Sequence, residues 1–225
     1  MTSVDPTAAL APFAEIYAAA LRGEACAVEG WDGQALDLPV HRWQARPDAS
    51  DLAVLAHCAG ATIDVGCGPG RMGSHLAEQG GTVLCVDIVP EAVEQAQARG
   101  VSALHRDVFS PLPGEGRWET ALLADGNIGI GGDPEALLAR VRELLGPGGR
   151  AVIDVAPDGY GVQTREVRLR NGSGVTHPFQ WTVVGADAVS ELARRTGFAL
   201  IATHRHHSRW FVVLQRKEGR HAPPE

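Results

Sequence analysis

Asp64, Gly66, Gly68 and Gly70 alternate through the stretch Thr62–Gly73, and Asp87 follows Gly68 by 19 residues (87 − 68). Glycines at the end of a β-branched run let a ligand approach the backbone, and an acid about 20 residues further on can accept from ribose hydroxyls. Gly68-Pro69-Gly70-Arg71-Met72-Gly73 also satisfies the G-x-G-x-x-G spacing of dinucleotide sites, so the glycines alone leave both chemistries open. Asp64 and Pro69 favour one of them. A carboxylate at a strand end repels a pyrophosphate and attracts an ammonium or sulfonium cation. The proline removes an amide donor that a phosphate cradle would use. A cationic nucleoside without phosphates fits these residues better.

Further stretches follow in order: Val83–Ile88, His105–Val108, Leu123–Asn127 and Leu145–Arg150. Together with Asp64–Gly70 they resemble the class I S-adenosylmethionine-dependent methyltransferases, over the part of the chain that ends at Asp154. The resemblance implies an α/β fold: a Rossmann-like, doubly wound, mostly parallel seven-stranded sheet with an antiparallel C-terminal hairpin and a β-ribbon insertion after the fifth strand. It also implies S-adenosyl-L-methionine as cofactor, bound by Asp64, Gly66, Gly68, Gly70, Asp87, Ile88, Asp107, Val108, Asp125 and Gly126. In that reading Asp87 takes the ribose hydroxyls, Asp107 the adenine amino group, and the Val108 amide a ring nitrogen.

Ligands of open parallel sheets bind at the carboxyl ends of strands, so the glycine-rich loop after the fourth strand should flank the same crevice. Asp125 and Asn127 are therefore candidates for the methionine end of the cofactor and the incoming nucleophile. Aromatic residues that the sheet does not require, Trp31, Trp43, Tyr160 and Trp181, are candidates for the acceptor pocket. If the nucleophile must lose a proton, Asp125, His177 or His206 could take it. No metal site is expected, because the histidines near residue 206 have no cysteine or carboxylate partner at a ligand spacing. A nicotinamide-linked oxidoreductase and a cofactor-binding regulator that transfers no methyl are the alternative readings.

The net charge of −7 over 225 residues argues against nucleic acid as the main partner. No Asn/Asp-Pro-Pro-aromatic sequence follows the fourth strand, which also weighs against methylation of bases. A small-molecule acceptor, a metabolite or natural-product intermediate, is the expected partner. Cys26, Cys58, Cys67 and Cys85 lack metal-ligand spacing and read as reduced thiols, which points to the cytoplasm. No apolar run approaches the ~18 residues of a membrane span.

The elements that must position these residues read as one domain. Residues 1–58 form an N-terminal segment, 59–156 the cofactor-binding core, 157–184 the substrate insertion, and 185–217 a terminal helix and hairpin. Pro6–Leu21 has helical spacing and reads as a packing helix. Glu24–Pro47 reads as a loop with tryptophans, and Asp48 or Ser50 as the cap of a helix through His57. Gln163–Arg170 and Val175–Val184 read as ribbons around an Asn171-Gly172 turn. Arg165, Arg168 and Arg170 share one ribbon face, which is expected to meet water.

Overall fold

The computed structural model describes residues 10–31 and 34–218. Leu10–Ala11 (β1) precedes the helix Phe13–Leu21 (α1), which buries Ile16, Ala19, Ala20 and Leu21. Residues 6–9 of the predicted first helix lie outside the described residues. The predicted loop 24–47 is largely ordered structure: Cys26–Trp31 (β2), Gln34–Asp37 (β3) and Val40–Gln44 (α2). Its strand signal is too short to stand out locally, and β2 gains its order from pairing with residues 168–171, far along the chain.

The core alternates as the apolar runs predict. Ala49–Leu55 (α3) is capped by Asp48, with Asp51 closing a reciprocal capping box. Thr62–Val65 (β4), Arg71–Glu78 (α4), Val83–Asp87 (β5), Pro90–Ala98 (α5), Ala103–His105 (β6) and Trp118–Leu123 (β7) follow. A 3₁₀ segment, Asn127–Gly132, leads into Pro134–Leu144 (α6), whose first turn is held by the Asp133 carboxylate. The chain continues through Leu145–Val155 (β8), Val162–Asn171 (β9), Gly174–Thr176 (β10), Phe179–Val184 (β11), Val189–Arg195 (α7), Phe198–His206 (β12) and Arg209–Arg216 (β13).

Seven strands form the central sheet in the order β12-β13-β8-β7-β4-β5-β6. The five from β8 to β6 are parallel, and β13 runs antiparallel to both β8 and β12. Because β4 lies between β5 and β7, the chain leaves its carboxyl end in one direction and returns beside it from the other. That is the crevice where open α/β sheets bind ligands. Leu137, Leu138, Val141 and Leu144 of α6 pack on Ile63, Ala121, Leu123 and Ile153 to fill one face.

The second sheet, β1-β10-β9-β2-β3 with β11 also on β9, joins the N-terminal segment to the insertion. The return strand of the predicted ribbon is divided at His177-Pro178, where the proline supplies no amide donor for a continuous ladder. This covering sheet is seated on the core by close backbone contact. Thr182 Oγ1 donates to Gly132 O at 2.6 Å, and a Cβ on Gly129 would come within 2.2 Å of Thr182 O. Among the described residues no helix is long and apolar enough to cross a membrane.

Gly129→Ala should therefore push the covering sheet off the core and destabilise the protein by about 1–3 kcal/mol, the usual cost of overpacking. Thermal unfolding checks this; an unchanged midpoint would show that the contact is slack.

Candidate active site

The glycine loop is built by its backbone. Gly66 N donates to Val86 O at 2.9 Å, and Gly70 (φ +78°) opens α4 in the left-handed region that favours glycine. A Cβ on Gly68 would meet nothing nearer than the Tyr17 hydroxyl at 3.6 Å, so the loop presents open backbone to a ligand. Asp87 ends β5 nearly buried. One of its carboxylate oxygens accepts from Gly68 N and the other from Val89 N, both at 2.9 Å. Burial pushes its pKa up against the pull of these amides.

A cavity of about 970 Å³ opens over this loop. Asp64, Gly66, Gly68, Asp87 and Ile88 line it from β4 and β5, Asp107 and Val108 from the turn after β6, and Asp125 and Asn127 from the loop after β7. Opposite them stand Trp43, His177, Phe179 and Trp181, together with Phe13 and Tyr17 of α1. A buried acid at the end of the second core strand, an open glycine cradle and an apolar wall fit an adenosyl group.

Several sequence candidates take other places. Gly70 and Gly126 shape turns without lining the cavity. Tyr160 is 47% exposed and lies off the cavity at the base of the insertion, and the side chain of Trp31 lies outside the described residues. His206 also lies off the cavity, on the terminal hairpin, with its ring 4.5 Å from that of His207. There His204 stacks on Phe211 and His57 packs beside it. Asn127 lines the cavity, but its amide donates to Val65 O and Gly66 O, both at 2.8 Å, and so ties the two loops together. Among the described residues no three His, Cys, Asp or Glu gather as a metal site, and all four cysteines are unpaired.

Asp64 is fully buried, and its pKa is pushed up to about 7 by desolvation, with the Asp125 carboxylate adding to the effect. Asp125 itself has φ +52° and pairs with Arg71 Nη2 at 2.5 Å, while its backbone N–H donates to Asp154 Oδ2 at 2.6 Å. Two further groups are absent from the sequence-based site. The first is Tyr17, whose phenol faces Gly68 and whose pKa is raised by burial and then by Asp87. The Phe13–Tyr17 spacing was the available signal, but it is also the spacing of a packing helix. The second is a set of buried ion pairs around Asp51, Arg71, Asp154 and Arg209.

A family model described as a methyltransferase domain matches residues 62–149. Among solved structures, an S-adenosylmethionine-dependent methyltransferase from Bacteroides fragilis, in complex with S-adenosyl-L-homocysteine, has a TM-score of 0.77 at 21% identity, covering 94% of this chain and 99% of that one. The 1,6-didemethyltoxoflavin-N1-methyltransferase of Burkholderia thailandensis, with 1,6-didemethyltoxoflavin and S-adenosylhomocysteine bound, gives 0.60 at 22% identity, covering 96% and 98%. An amino pentose methyltransferase from Micromonospora echinaspora, involved in calicheamicin biosynthesis, gives 0.58 at 17%, covering 80% and 95%. No curated protein sequence matches the chain. Residues 62–149 thus match a methyltransferase domain, and the strand order around them is the fold of S-adenosylmethionine-dependent methyltransferases.

Two predictions follow from the buried acids. Asp87→Asn keeps the size of the side chain but removes its charge, and should weaken S-adenosylhomocysteine binding by about 1.5–3 kcal/mol in calorimetry. Unchanged affinity would remove Asp87 from the site. For Asp64, with a folded pKa of about 7, the proton is held more tightly in the folded than in the unfolded chain. Its contribution to stability is therefore lost as pH rises from about 4 to 7. A ligand ammonium favours the ionised carboxylate, so affinity should rise roughly tenfold between pH 6 and 8 and then level off. Asp64→Asn should flatten that rise.

Proposed function

We propose that this protein transfers a methyl group from S-adenosylmethionine to an oxygen, nitrogen or carbon nucleophile of a small organic acceptor held beneath the covering sheet. The observation that carries this reading is the continuity of one cavity: the strand-end acids line one side of it, and Trp43, Phe179 and Trp181 line the other. A structural neighbour supports a site for two ligands, since 1,6-didemethyltoxoflavin and S-adenosylhomocysteine are bound in the Burkholderia enzyme together.

When bound, the cofactor supplies an electrophilic methyl on a positively charged sulfur, and the leaving thioether is neutral. What remains for the chain is largely positioning, which can lower a barrier by several kcal/mol. Asp87 and Asp107 would fix the nucleoside, Asp107 already holding its turn through Phe109 N at 2.9 Å. Asp64 and Asp125 would take the amino-acid end. The aromatic side chains and the aliphatic wall of Val28, Val167 and Leu169 would orient the acceptor and exclude water. His177 stands at the acceptor side with an exposed ring and could take a proton from a hydroxyl or ammonium nucleophile. Asp125 is already engaged by Arg71 through its side chain and by Asp154 through its backbone N–H, which would hold it for the amino-acid end.

Incubation with methyl-labelled cofactor and a pool of small hydroxylated and aminated aromatic compounds tests the reading. Label should appear in a small product together with stoichiometric S-adenosylhomocysteine. Tight binding of S-adenosylhomocysteine with no transfer to any acceptor would favour a non-transferring protein. Once an acceptor is found, Trp181→Ala or Trp43→Ala should raise its KM while leaving cofactor affinity nearly unchanged. If acceptor kinetics do not move, that tryptophan is packing.

A further inference from the structure

At the end of the cavity marked by Asp64 and Asp125, ion pairs close into a ring. The carboxylate of Asp51, fully buried in the first turn of α3, takes Arg71 Nη1 on one oxygen and Arg209 Nη1 on the other. Arg71 Nη2 reaches Asp125 Oδ2 at 2.5 Å, and Arg209 Nη2 stands 3.5 Å from Asp125 Oδ1. Arg209 Nε donates to Asp154 Oδ1 at 2.9 Å, and Asp154 Oδ2 accepts the Asp125 N–H at 2.6 Å. Asp125 is thus held through both side chain and backbone in a left-handed conformation, which a non-glycine residue keeps only when its surroundings demand it.

Asp51, Asp125 and Asp154 are balanced by Arg71, Arg209 and the outer Arg42, which lies 3.7 Å from Asp51 and is 41% exposed. Asp64, whose burial pushes its pKa up to about 7, adds a fourth carboxylate when it ionises, and among the described residues no guanidinium pairs with it. Asp64, Arg71 and Asp125 line the cavity, so this is where a ligand would meet the unpaired charge. Buried charges need partners, and a ligand ammonium supplies the missing one.

We propose that this ring is the specificity device for the amino-acid end of the cofactor, with Arg209 of the terminal hairpin and Asp51 of α3 as positioning residues that set Asp125 to receive an α-ammonium. The inference rests on the methyl-transfer reading above and goes further by assigning selectivity to residues placed behind the cavity wall.

The test compares two probes by calorimetry: S-adenosylhomocysteine, and 5′-methylthioadenosine, which keeps the nucleoside and lacks the amino-acid end. The parent protein should prefer the first, and Arg209→Gln should cut that preference roughly tenfold or more while leaving methylthioadenosine affinity unchanged. Arg209→Lys, which keeps the charge but not the fork, should recover part of it. A merely structural role would lower both affinities together or only the melting temperature, and either result overturns the proposal. Should Arg209→Gln fail to fold, Asp154→Asn carries the test. It keeps an acceptor for the Asp125 N–H and removes the charge opposite Arg209, and an unaltered preference there is equally fatal. If the parent binds neither probe, the cofactor assignment fails instead.

Discussion

Burying several carboxylates at the ends of parallel strands is the constraint around which this molecule is arranged. Each such charge loses several kcal/mol of hydration, and ion pairs in low dielectric often do no better than apolar residues of the same volume. A chain selected for stability alone has little reason to gather Asp51, Asp64, Asp125 and Asp154 in one place. Here Arg71 is buried and Arg209 partly so, Asp125 stands at the more open, cavity side, and the pairs connect α3, α4, the loop after β7, the end of β8 and the start of β13. Removing one partner would strand a charge in the interior, so the geometry of these five elements is mutually fixed. The rigid end of the cavity is a product of electrostatic necessity as much as of packing.

The opposite wall obeys different physics. The covering sheet is assembled from segments far apart in sequence, with Glu29 and Arg170 paired across 141 positions. Closing so long a loop costs entropy before any strand contact repays it, and the compensation comes from Cys26, Leu169, Ile16 and Ala20 packing together under β9. The glycine contacts at Gly129 and Gly132 then set how far this sheet stands from the core, and so how deep the cavity between them is.

What could be read from the sequence follows this division. The core strands, their helices and the terminal hairpin carry local signals: β-branched runs, the Asp133-Pro134 start, glycine stops. The glycine loop and Asp87 were legible because a tight turn after β4 and an acid that ends β5 and accepts from that turn keep a fixed spacing. The strands β2 and β3 were not, since their alternation spans few residues and their order is supplied by β9. Asp51 was hidden for a different reason: its carboxylate also accepts Asp48 N at 2.9 Å, so in sequence it looks like an ordinary capping residue. Arg209 looks like a strand-surface cation, and nothing short of the fold brings it to a residue 158 positions away. Tyr160 and His206 erred the other way, as residue types that suit a site but stand where the topology does not lead to one.

The alternation along β9 decides what the covering sheet turns toward the cavity. Val167 and Leu169 face the cavity, so Arg168 and Arg170 on the same strand face away, and Arg170 is paired with Glu29. Arg165, expected on the same face as those two, instead has the parity of Val167 and pairs across from Trp181, so the three arginines do not share one face, and none of them lines the cavity. What lines it is aliphatic and aromatic, with the exposed Asp37, Arg106 and His177 supplying polar groups around it. Recognition by such a wall depends on shape, stacking and exclusion of water, and these depend on volume and on the seating of one sheet over another. Strand-end acids impose a spacing on the chain, whereas an apolar wall imposes only a composition. The same chain can thus show its strand-end cradle in a dozen residues and leave the facing wall to be read only from the fold.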